Sequence, residues 1–80
     1  MKIPVIKSLV EKYSLDELSS AEDSIMNEEN PKIQVEGEDE GEQLTHVLAA
    51  KFIIEQIASL GLDFPTALRE YTKKVRASIN

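Results

Sequence analysis

The sequence predicts an all-α protein, a small four-helix bundle of two helical hairpins with one short extended segment at about residues 32–36. Three observations predict it. Apolar residues recur at helical spacing in four separate runs, and each run opens on a proline or a capping residue. Only "KIQVE" alternates with the period of a strand. Eighty residues make one domain, 1–80, with helices at about 4–13, 14–29, 39–60 and 64–79. A chain this short removes only about 60 to 65% of its unfolded surface from water, so support from a second chain is a reasonable expectation.

The first helix is expected to start at Pro4, because proline suits the first helical turn, and to carry Val5, Ile6, Leu9, Val10 and Tyr13 on one face. The second opens on "YSLDEL", in which Ser14 and Glu17 have capping-box spacing and Tyr13 and Leu18 can act as a hydrophobic staple. Its apolar stripe is Leu15, Leu18, Ala21 and Ile25, with Met26 at its end, and "NP" at Asn30 and Pro31 is expected to stop it. In "KIQVE", Ile33 and Val35 alternate with polar residues but have no strand to pair with in one copy. The segment is therefore an extended connector over the helices, or half of a two-stranded ribbon with a second copy.

The third helix is expected to start near Asp39 and to exit at "SLGLD", where Gly61 can take the left-handed conformation. Val47, Ala50, Ile53, Ile54, Ile57, Ala58 and Leu60 cover about half its circumference, and Leu44, Leu48 and Phe52 add a second stripe. A helix apolar on most sides is either the centre of a bundle or meets another subunit. The fourth opens at "DFPTAL", with Asp63 as cap and Pro65 in the first turn, and repeats Phe64, Ala67, Leu68, Tyr71, Val75 and Ile79 on one face.

Composition removes several chemistries. There is no cysteine, which excludes a disulfide scaffold, a thiolate zinc site and a cysteine nucleophile, and His46 is the one histidine. The seven serines lack a glycine-flanked elbow, so no catalytic set is found and the chain reads as a non-enzyme without a cofactor. No run of about 20 apolar residues could span a bilayer, and no signal peptide is legible, so a cytoplasmic location is expected. A net charge of −6 argues against nucleic acid. The charge is uneven: from Tyr13 to Glu42 eleven acids face Lys32 alone, whereas Arg69, Lys73, Lys74 and Arg76 make the last stretch basic. An electrically two-sided molecule suits oriented association.

The stretch "VEGEDEGEQ" packs five carboxylates and two glycines into nine residues. As a calcium loop it fails. With Gly41 at the glycine position the last ligand place falls on Val47, and with Gly37 there the first falls on Lys32. A second metal reading uses Asp39, Glu42 and His46, spaced i, i+3, i+7 on one helical face. Against it, Gln43 stands where a di-metal bundle needs glutamate, and no second histidine is present. His46 is expected to be partly exposed and hydrogen-bonded to a nearby carboxylate or carbonyl. Asp39 and Glu42 have the spacing of a helix cap, while Glu36, Glu38 and Glu40 exceed what a helix start requires.

The strings "MKIPVIKSLVEKYSLDEL", "VEGEDEGEQLTHVLAA" and "FPTALREYTKKVR" resemble a family of short uncharacterised bacterial proteins, Bacteroidetes-type, across nearly the whole chain. The resemblance implies no assigned activity and no established catalytic residues. The residues themselves lead to a self-associating interaction module, a homodimer with a possible protein partner of basic surface. The surface residues are Glu36, Glu38, Asp39, Glu40, Leu44, Leu48, Phe52, Arg69, Lys73, Lys74 and Arg76. A metal-binding protein using Asp39, Glu42 and His46 is the alternative.

Overall fold

A computed structural model describes residues 1–79, with side chains through Ala77. It is all-α, with helices α1 (Ile3–Lys12), α2 (Leu15–Met26), α3 (Glu40–Leu60) and α4 (Phe64–Ile79). Among the described residues there is no strand, and within the single chain 32–36 runs as a connector over the helices. Its Val35 is buried and Ile33 packs beside it against the core.

Local chemistry sets most helix ends. Ser14 accepts from the Glu17 amide while the Glu17 carboxylate accepts from the Ser14 amide, so the capping box of α2 is complete. Asp39 accepts from the Glu42 amide at 2.8 Å and Asp63 from the Thr66 amide at 2.9 Å, which caps α3 and α4. α3 exits through Gly61 at φ 66°, the left-handed conformation that a glycine takes without steric cost.

α2 ends at Met26, earlier than the Asn-Pro pair predicts. The Glu28 amide bonds the Ile25 carbonyl and the Glu29 amide bonds the Ser24 carbonyl, which are the two hydrogen bonds of a Schellman turn. Glu28 takes the left-handed position at φ 59°, where a glycine is usual. The helix has therefore closed before the proline can act on it.

α3 is the hub. Each extensive helix–helix contact among the described residues joins α1, α2 or α4 to α3, so the packing is radial and the predicted α1–α2 hairpin is not a packing unit of its own. Ile6, Leu18, Val47, Ala50 and Ile53 are fully covered around this axis, with Leu9, Ala21, Ile25 and Ala67 beside them. That explains why α3 lacks a clean apolar face: neighbours reach it from several directions. A part-buried ion pair between Lys51 and Glu22 clips α2 to α3.

Candidate interaction surface

The acidic lead-in to α3 is tied to that helix by three polar side chains, Glu42, Gln43 and His46. Gln43 donates to the Val35 carbonyl at 3.2 Å, the Glu42 carboxylate accepts from the Glu38 amide at 2.8 Å, and His46 Nδ1 bonds the Glu36 carbonyl at 2.8 Å. The connector lies so close that a Cβ on Gly37 would come within 2.8 Å of the Gln43 backbone nitrogen, which accounts for glycine at that position. The Glu38 amide holds the Glu42 carboxyl below its ordinary range, with help from Lys2 and the Met1 amino group. The latter lies 3.7 Å from Glu42. Hydrogen bonds from the Thr66 side chain and amide lower Asp63 in the same way.

His46 is fully buried, which corrects the partly exposed site its neighbourhood suggested; its carbonyl partner is as expected. The second ring nitrogen, Nε2, accepts from the Lys2 backbone N–H at 2.9 Å. Lys2 is the cap residue of α1, which has no side-chain cap of its own, so a histidine 44 residues away satisfies that end. The sequence carries no signal for this contact, because its donor is a backbone group.

The metal alternative does not assemble. Asp39 is occupied as a cap, Glu42 as an acceptor for Glu38, and His46 at both nitrogens. Among the described residues no group of three or more histidine, aspartate or glutamate side chains could hold a metal ion.

The remaining surface residues fall into two sets. Glu36, Glu38 and Glu40 are exposed around the cap Asp39. On the other side of α3, Leu44 and Phe52 are half-buried, and Leu48 is 37% exposed. Phe52 meets Tyr71 of α4 with ring centroids 5.6 Å apart, and the Lys74 ammonium lies 5.0 Å over the same ring. Burial raises the Tyr71 phenol above its ordinary value. Arg69, Lys73 and Arg76 are exposed on α4, and Lys73 makes a loose surface pair with Glu70 at 3.8 Å.

α4 runs back along α3, so its basic end returns to the acidic start of α3. Arg76 and Val75 share a groove of about 340 Å³ with Thr45 and Met1, lined also by Tyr71 and Thr72. Arg76 therefore comes back beside the start of α3, while Lys74 stays over Phe52 in the middle of that helix. Outside this groove, Arg69, Lys73 and Arg76 rim a second open strip over Pro65, Leu68 and Thr72.

Every buried side-chain nitrogen and oxygen among the described residues has a hydrogen-bond partner, so no orphaned polar atom points at a ligand. No described helix is long and apolar enough to cross a membrane. No curated protein and no solved structure matches the chain. A family model does match, described as a family of unknown function (DUF6952), and it covers residues 1–80. On that match over its whole length, the chain belongs to the DUF6952 family.

Proposed function

We infer that this protein is a non-catalytic interaction module of the bacterial cytoplasm that pairs with a second copy of itself through the open side of α3 and α4. One observation carries the reading. Apolar side chains stay accessible along that side, with Leu48 at 37% and Val75 at 38% exposure, beside a groove whose walls are almost wholly apolar.

Charge favours a second copy as the occupant. Arg76 lines the groove, Arg69 and Lys73 rim the neighbouring strip with it, and the same chain exposes Glu36, Glu38 and Glu40. Two copies related by a two-fold axis would set each basic rim against the other's acidic connector, and a self-complementary patch of this kind closes as a dimer. The thin core of an 80-residue chain gives such pairing a stabilising role.

Sedimentation or light scattering at micromolar concentration tests the pairing. A mass near twice 9.0 kDa is expected for the native protein, and 9.0 kDa for Leu48→Glu combined with Val75→Glu, with helical content retained. A native mass of 9.0 kDa would sink the dimer. Reversal of Glu36, Glu38 and Glu40 to lysine, leaving the cap Asp39 intact, should weaken association in a salt-dependent way. If it does not, the charged part of the interface is wrong.

A further inference from the structure

We propose that His46 is a proton-sensitive latch that fastens the start of α1 and the acidic connector to α3, and that protonation of its ring releases the start of α1. The latch is independent of the pairing proposed above. It rests on hydrogen-bond polarity at a fully buried ring.

Nε2 lies 2.9 Å from the Lys2 backbone nitrogen, which can only donate. Nε2 must then offer its lone pair, and the proton of the neutral ring sits on Nδ1, where it is donated to the Glu36 carbonyl at 2.8 Å. This tautomer satisfies both nitrogens. An imidazolium carries a proton on each nitrogen. Its Nδ1–H can keep the Glu36 carbonyl, but its Nε2–H would confront the Lys2 N–H, donor against donor. Because the ring is enclosed, the conflict is relieved by moving the chain at Lys2.

The charged groups at this end are mixed in sign. α1 brings the Lys2 ammonium and the Met1 amino group, the connector brings Glu36 and Glu38, and α3 brings Glu42, which pairs with Met1. α4 brings Arg76 across the groove that Met1 lines, and on α2 Glu22 is engaged by Lys51. No single sign dominates, so the donor–donor conflict sets the response. Release of Lys2 also leaves Met1, which forms one wall of the groove beside Tyr71 and Val75, held only by its pair with Glu42. Proton uptake would thereby reshape the apolar groove from the far side of the helix.

One histidine makes the test clean. Tag-free protein is titrated from about pH 8 to about pH 4 while the two ring nitrogens and the Lys2 amide are followed by NMR. The expected result is an Nδ1–H tautomer at high pH, then ring protonation coincident with loss of the Lys2 hydrogen bond. Lys2 amide exchange, corrected for its intrinsic pH dependence, should rise on the order of tenfold, with the helices still folded.

His46→Gln, which cannot titrate, should abolish that step. It should leave the separate contribution of Glu42: its lowered carboxyl stabilises the fold above the ordinary carboxylate range, and that stability is lost as pH falls through the lowered value. The latch is overturned if the ring protonates with Lys2 undisturbed, if the ring stays neutral until the whole fold melts, or if the step persists in His46→Gln. Should the variant fail to fold, the native titration decides alone.

Discussion

The two sides of α3 are finished to different degrees. Towards α1, α2 and the connector, His46, Val47, Ala50 and Ile53 are fully covered, and polar side chains bind the neighbouring backbone. Towards α4 the buried Ala67 is joined by half-buried rings, with Leu48 and Val75 still open to water. A folded core and an unused surface thus share one helix. The difference teaches that the apolar excess of α3 has two origins: most of it serves the bundle, and a narrow stripe is left over.

The contrast can be broken first at its centre. Ile53→Ala empties a fully covered site and should cost about 2–5 kcal/mol of folding free energy, enough to unfold much of an 80-residue chain. Leu48→Ala should cost under about 1 kcal/mol in the same urea titration of dilute protein. Equal losses would erase the distinction between the two sides. Gly37→Ala comes next, since its methyl group would press on the Gln43 backbone and not on a flexible tip. A loss of about 1–3 kcal/mol is expected, with the Val35 to Glu38 segment losing protection in hydrogen exchange. The smallest effect has the opposite sign. Glu28→Gly relieves a left-handed glutamate at the exit of α2, and thermal unfolding should show a gain of about 0.5–1 kcal/mol after the added entropy of the unfolded glycine.

What was legible in the sequence is what is local. Ser14 with Glu17, Asp39 with Glu42, and Asp63 with Thr66 are partners three residues apart, and their spacing states the hydrogen bond. Gly61 announces its own exit. The exit of α2 was hidden because Glu28 adopts a glycine's conformation without being one. At the candidate surface, the composition of both charge blocks was plain, but the return of Arg76 to the start of α3 depends on α4 running back along that helix. The burial of His46 was hidden for a deeper reason: its partners are the Lys2 amide and the Glu36 carbonyl, backbone groups that every residue type carries. No residue pattern can report a bond of that kind across 44 positions.

The radial arrangement also bears on the order in which the chain can acquire structure. α1 and α2 find their main apolar cover on α3, which begins only at Glu40. The ties that hold them, Lys2 to His46 and Glu22 to Lys51, span 44 and 29 positions. During synthesis the first half of the protein therefore waits, with Ile6, Leu9, Leu18 and Ile25 uncovered, until the central helix has left the ribosome. The eleven acids gathered between Tyr13 and Glu42 give that waiting segment a net negative charge, and mutual repulsion of this kind keeps nascent chains from sticking to one another.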